Sequence, residues 1–299
     1  MPRCCGGRMH VVLITPVPAQ SRQGNRVTAV RWARMLKRLG HRVTVAQAYD
    51  GTPYDCMIAL HARRSFAAIA RFHQTYPERP LLVALTGTDL YGDIRTSPDA
   101  QHALEFASHL ILLQPKGIEE LAPHLRPKAR VIYQSVPRPS RTWPKAKTTF
   151  DVCVLGHLRE VKDPFRTALA ARRLPATSRI RVIHLGQALS DDMARRARTE
   201  MAENPRYHWR GERPRWQALR ILARSHLLVL SSLSEGGANV ISEALALRVP
   251  VVASHIPGSI GLLGEAYPGY FPVQDTAALT QVLLQAETDT AFYKALVEW

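Results

Sequence analysis

The segment S-E-G-G-A-N-V-I-S-E-A, Ser234 to Ala244, sets two carboxylates, Glu235 and Glu243, around a double glycine. The apolar run H-L-L-V-L-S-S before it reads as a buried strand, and N-V-I-S-E-A-L-A-L after it has helical apolar spacing. At such a turn the backbone can approach a ligand closely, and the free N–H groups and dipole of a helix start attract phosphate. Glu235 is expected at the mouth of the turn, with Glu243, eight residues on, two helical turns deeper on a similar face. Carboxylates accept hydrogen bonds from paired hydroxyls, so one suits a sugar and the other a ribose. A glycine-broken turn with two solvated glutamates accounts equally for the segment taken alone.

Two further segments bear on it. G-H-L-R-E-V-K, Gly156 to Lys162, follows an apolar run and places Arg159 and Lys162 where they can neutralise a diphosphate as charge develops on a leaving group. An ordinary solvated loop is the competing explanation. Y-H-W-R-G-E, Tyr207 to Glu212, pairs a strand end with a glycine turn where a flat base can dock.

These segments need a scaffold. In the first half, H-V-V-L-I-T, H-R-V-T-V-A, Y-D-C-M-I-A-L, P-L-L-V-A-L-T, H-L-I-L-L and R-V-I-Y alternate with amphipathic stretches such as V-T-A-V-R-W-A-R-M-L-K-R-L. The same alternation restarts after P-R-P-S-R-T-W-P-K-A-K-T-T. The expected fold is α/β, with two doubly wound domains at residues 9–136 and 150–299, a linker at 137–149, and a ligand site in a central cleft. No G-x-G-x-x-G follows the first strand, so dinucleotide binding there lacks its fingerprint.

Lys and Arg number 40 against 24 acids, a net charge of +16, which points to an anionic partner. Cys4, Cys5, Cys56 and Cys153 lack metal-ligand spacing and read as reduced thiols in a cytoplasmic protein. No secretory or membrane-spanning pattern is evident, and M-P-R-C-C-G-G-R reads as a dispensable leader before a first strand near His10. No D-x-D is present to hold a divalent metal on a diphosphate, so no metal or other cofactor is expected.

The ordered set G-x-L-x-x-x-K, W-R-G and E-x7-E, followed by A-L-A-L-R-V-P-V-V-A-S, resembles the GT-B glycosyltransferases that use nucleotide sugars, over about residues 150 to 265. The resemblance implies two Rossmann-like domains, with Lys162 on the donor diphosphate and Glu235 and the backbone of Gly236, Gly237, Ala238 and Asn239 on the donor sugar. It puts Glu243 on the ribose hydroxyls, and Gly156, Trp209, Arg210 and Gly211 around the nucleotide. This chain has His157 where the family usually has Arg, which would move an anion contact to Arg159.

More narrowly, Q-G-N-R-V-T-A-V-R-W-A-R-M-L, A-L-H-A-R-R-S and L-T-G-T-D-L-Y, together with the motifs above, resemble the SenB-type selenosugar synthases of selenoneine biosynthesis, from His10 onward. That resemblance implies UDP-N-acetylglucosamine or another UDP-sugar as donor and selenophosphate as acceptor. Selenophosphate is already anionic, so cationic positioning outweighs a general base. Gly24, Asn25 and Arg26, the pair Arg63 and Arg64, and Thr86, Thr88 and Asp89 are the acceptor-side candidates. His61 is either catalytic or a structural histidine at a strand end, and Asp89 is alternatively a helix cap. The competing classes are a GT-B enzyme acting on an alcohol, and a nucleic-acid-binding protein. The second would call for a basic run or aromatic platform that the sequence lacks.

Overall fold

A computed structural model of the chain describes residues 7–21, 23–136 and 142–299, which leaves Cys4, Cys5 and the linker positions 137–141 outside the described residues. The chain divides into two compact units, Met1–Gln134 and Ser135–Trp299.

In the first unit, β1 (His10–Ile14), β2 (Arg42–Ala46), β3 (Cys56–Leu60), β4 (Leu81–Ala84), β5 (His109–Leu112) and β6 (Ala129–Val131) form a parallel sheet of order β2-β1-β3-β4-β5-β6. Helices Gly24–Arg38, Phe66–Thr75 and Pro98–Phe106 fall between strands. β3 is buried at every position, as a strand covered on both faces must be. Separate apolar clusters lie against the sheet, one holding Met57, Ile69, Phe72 and Leu110, the other Val11, Leu13, Ala29 and Ile58.

In the second unit, β7 (Phe150–Leu155), β8 (Ile180–Leu185), β9 (Tyr207–Trp209), β10 (Leu227–Leu230), β11 (Val251–Ser254) and β12 (Tyr270–Phe271) pair in the order β12-β11-β10-β7-β8-β9, again all parallel. The alternation read from the sequence is therefore present, and only the two-residue β12 had no apolar run to announce it. Residues from the expected linker pack on this unit, where Lys145 Nζ donates to Tyr293 Oη at 3.0 Å. Cys56 and Cys153 are buried free thiols whose pKa values burial raises, to about 11 and about 12.

Each sheet reverses its winding direction once, between β1 and β3 and between β7 and β10. Loops leaving the carboxyl ends on either side of such a reversal diverge to opposite faces and open a crevice, where ligands of open α/β sheets bind. Gly24 to Arg26 and His61 to Arg64 follow β1 and β3, while Gly156 to Lys162 and Glu235 follow β7 and β10.

Candidate functional site

The crevice of the second sheet brings together residues 73 apart in sequence. The Lys162 ammonium forms an ion pair with Glu235 Oε1, and Ser232 Oγ donates to the same oxygen at 2.6 Å. The loops are stitched by Leu233 N to Val161 O at 2.9 Å and by Ser231 Oγ to Asp163 O at 2.9 Å. Asp163 takes the left-handed conformation, φ 41°, ending the short turn Glu160–Lys162 that aims the lysine. Gly258 opens the next layer, and a Cβ there would lie 1.9 Å from the Glu235 carbonyl oxygen, so the close approach requires glycine.

The helix after the double glycine begins only at Asn239 and ends at Ala246. Glu235 lies in the turn ahead of it, as expected, and Glu243 stands four residues past the helix start, about one helical turn in where two were expected. The helix thus starts where the helical spacing of N-V-I-S-E-A-L-A-L starts, and Gly236, Gly237 and Ala238 form a buried approach to it. Glu243 is buried beside Ile241 and Ala244, and Arg215 Nη2 donates to its Oε1 at 2.6 Å. The sequence reading missed Arg215, and it also missed Ser234, whose buried Oγ has no hydrogen-bond partner.

Gly156 and His157 are fixed from behind. His184 Nε2 lies 3.0 Å from the Gly156 carbonyl oxygen and its Nδ1 lies 2.9 Å from Tyr207 Oη, so Nε2 carries the proton and Nδ1 accepts from the phenol. Full burial pushes the His184 pKa down to about 4 and keeps the ring neutral. His157 Nδ1 accepts from the Gln187 N–H at 3.1 Å, which leaves its Nε2–H as a donor, and burial lowers its pKa as well. At this position the chain thus has a neutral donor. Arg159 stays half-buried, with no ion-pair partner among the described residues.

Trp209 is held from behind the site. Its indole N–H donates to the Gly186 carbonyl at 2.8 Å and its ring packs beside Leu158 and Phe165, so it braces the loop behind the site and the N–H is taken up within the protein. Arg210 is exposed, and Gly211 takes φ 65°, the conformation a tight glycine turn requires.

In the first unit, His61 ends β3 with φ 72° and is 2% exposed. Its Nδ1 accepts from the Arg64 N–H at 3.4 Å and its Nε2 lies 3.1 Å from Thr88 Oγ1. Burial is the main cause lowering its pKa. Of the two expectations for Asp89, acceptor contact and helix cap, its backbone hydrogen bonds are nearer to the second. The residue is fully buried, Oδ1 accepts from the N–H groups of Thr86 and Gly87 at 2.9 Å each, and Oδ2 accepts from the Ala62 N–H at 3.0 Å. It opens the turn Asp89–Asp93 and ties it to the strand end at Ala62, so its lone pairs already face backbone donors. Arg63 Nε pairs with Asp93 Oδ2 at 2.9 Å, whereas Arg64 and Arg26 have no carboxylate partner among the described residues. Gly24, Asn25 and Arg26 form the first turn of the helix Gly24–Arg38, and Arg26 Nε is buried without a hydrogen-bond partner. Thr15 Oγ1, just past β1, is likewise buried and unpartnered, and the sequence reading did not single it out.

Among the described residues there is no group of three or more His, Cys, Asp or Glu placed to hold a metal, and no helix is long and apolar enough to cross a membrane.

Similarity to known proteins agrees with this arrangement. A Xenopus tropicalis protein named glycosyltransferase 1 domain-containing protein 1 is 25% identical over 271 residues, 80% of this chain and 77% of that protein. Among solved structures, Anabaena HepE in complex with UDP and glucose superimposes with a TM-score of 0.75 at 16% identity, over 97% of this chain and 92% of that one. Sucrose-phosphate synthase from Thermosynechococcus elongatus gives a TM-score of 0.73 at 15% identity over the same shares. The two six-stranded units therefore have the GT-B fold. The family described as Glycosyl transferases group 1 matches residues 137–298, which contain the loops of Lys162 and Glu235 and the Glu243 helix. With more than half its length matched, the chain belongs to the group 1 glycosyl transferases.

Proposed function

We propose that the protein transfers a sugar from a UDP-sugar, with UDP-N-acetylglucosamine first among candidates, to selenophosphate. The donor half is supported by the paired residues of the second sheet and by structural neighbours solved with UDP and with UDP-glucose. In this reading Lys162 and Arg159 neutralise the diphosphate as its charge grows in the transition state. Glu235 and the backbone from Gly236 to Asn239 hold the sugar, Glu243 holds the ribose, and His157 Nε2–H is a neutral donor to the phosphates.

One observation carries the acceptor half. After β1, Arg26 Nε and Thr15 Oγ1 are buried without hydrogen-bond partners, while Asp89 is taken up by backbone N–H groups and Asp93 is ion-paired with Arg63, its Oδ2 otherwise lacking a hydrogen bond. An alcohol must lose its proton during attack, and this needs a base. Selenophosphate arrives as an anion and needs only cations and hydroxyls to orient it, for which the fork of a guanidinium is suited. A selenium lone pair forms the bond to the anomeric carbon as the carbon–oxygen bond to UDP breaks and its electron pair leaves with UDP. Water then cleaves the selenium–phosphorus bond, yielding the selenosugar and phosphate.

A second reading, transfer to an alcohol, draws on His61, whose ring nitrogens stand 3.9 Å from Asp89 and 3.8 Å from Asp93, carboxylates that would stabilise the ring once protonated, although it would first have to give up its bonds to Arg64 and Thr88. The test is incubation with UDP-N-acetylglucosamine, selenophosphate and excess chelator, with mass-resolved detection of products. A selenosugar, UDP and phosphate in equal amounts are expected. Transfer to an alcohol with none to selenophosphate, or loss of activity on chelation, would overturn the proposal.

A further inference from the structure

Arg215 is the first residue of the helix Arg215–Arg224, and that helix has no acidic residue in its first turn. A cation there opposes the positive end of the helix dipole, so nothing local favours it. Across the packing, 28 residues away in sequence, it meets Glu243, whose carboxylate is 9% exposed in the middle of an otherwise apolar helix face. Pro214 fixes the approach with φ −50°, and the Gly211 turn lies just ahead of it. A residue that breaks a local rule and is held by a buried site carboxylate marks a functional constraint.

We propose that Arg215 positions Glu243 for the ribose hydroxyls of the nucleotide, and so sets the enzyme's discrimination between ribose and deoxyribose donors. The inference rests on the reading of Glu243 as the ribose ligand. A carboxylate free to rotate about its last side-chain bond presents its oxygens in many directions. The 2.6 Å bond from Arg215 Nη2 to Oε1 holds that rotation. The guanidinium also offsets the carboxylate's charge, which would otherwise repel a diphosphate bound nearby. At 43% side-chain exposure, Arg215 can reach solvent and ligand while keeping this bond.

Isothermal titration with UDP and with 2′,3′-dideoxy-UDP tests the assignment in the intact protein, in Glu243→Ala, and in Arg215→Met, which keeps the apolar stem and removes the fork. A site built to bind a hydroxyl rejects the analogue lacking it, so the intact protein is expected to prefer UDP about tenfold or more. Arg215→Met is expected to bring that ratio to within about threefold, as Glu243→Ala does, because in both the oriented carboxylate is lost. A purely structural tie between the two helices would weaken both nucleotides equally and leave the ratio unchanged, which overturns the proposal. If Glu243→Ala loses the ratio while Arg215→Met keeps it, Arg215 is ruled out and the ribose reading stands. If both variants keep it, the ribose reading itself falls and the proposal falls with it. Should Arg215→Met fail to fold, Arg215→Lys supplies the same readout, with a reduced ratio expected because one ammonium cannot reproduce the guanidinium geometry, and an unchanged ratio counting against the proposal.

Discussion

Arg215 and Arg26 share a local setting in the two units, although Arg215 follows the edge strand β9 and Arg26 the inner strand β1. Each lies in the first turn of a helix without acidic residues in that turn, against the dipole, at the carboxyl edge of a parallel sheet. Arg215 has a buried carboxylate partner, while Arg26 has none among the described residues and leaves Nε buried and unbonded. The same difference recurs around them. In the second sheet Lys162 is already paired with Glu235, whereas in the first sheet Asp89 is occupied by backbone N–H groups. Where cations come with carboxylates, the ligand must offer both hydroxyls and phosphates, as a nucleotide sugar does. Arg26 and Thr15, buried in the first unit without hydrogen-bond partners at Nε and Oγ1, suit a small anion.

The most severe way to break this comparison is Lys162→Ala. It removes the cation proposed to face the leaving diphosphate and leaves buried Glu235 the hydrogen bond from Ser232. Turnover is expected to fall about a hundred- to a thousandfold, and UDP affinity much less, because the leaving-group charge is largest in the transition state. Steady-state kinetics beside UDP titration separate the two. Intact turnover with only a raised KM would show that Lys162 serves ground-state binding.

A second, smaller effect concerns acid. His184, neutral between Tyr207 and Gly156, has its pKa pushed down to about 4 from the usual 6.5. Between those values the unfolded chain binds the proton that the folded one refuses. The histidine's contribution is therefore complete above pH 6.5 and is lost as pH falls toward 4. Over that window the loss amounts to about 3 kcal/mol. Denaturation curves from neutral pH to about pH 4.5 should show a smaller acid loss in His184→Gln than in the parent protein. Parallel curves for the two proteins would refute the assignment.

The sheets were legible because a parallel strand buried on both faces is written as a short apolar run, as in C-M-I-A-L and H-L-L-V-L. β12 escaped because two residues make no run. The start of the Glu243 helix is marked by apolar spacing alone, because its N-cap is Ala238, which has no side-chain cap bond. Lys162, Glu235 and Glu243 were visible through type and order. Arg215 and Gly186 were not, since one acts through a carboxylate 28 residues away and the other through the indole of Trp209, 23 residues away. Non-local hydrogen bonds leave no local spacing to read.

The finest test of the comparison is Arg26→Ala, because it asks whether the unpaired cations of the first sheet bind the anion that the argument requires. Arg26 stands on the helix that follows β1, beside the reversal that separates β1 from β3, the strand that leads into Arg63 and Arg64. Its buried Nε lacks a partner, and a guanidinium with an unsatisfied buried donor gains on binding an oxyanion what it forgoes when empty. Removing it should raise the KM for selenophosphate about tenfold, since one charge-assisted hydrogen bond is worth about 1.5 kcal/mol or more. UDP affinity should stay within about twofold, because the nucleotide is assigned wholly to the second unit. Arg26→Lys should recover part of the loss, as it restores charge without the fork. An equal fall in UDP affinity would show that Arg26 serves the donor, and an unmoved KM for selenophosphate would show that the unpaired cation has no part in holding the acceptor. In either case the division of labour drawn between the two sheets would fail.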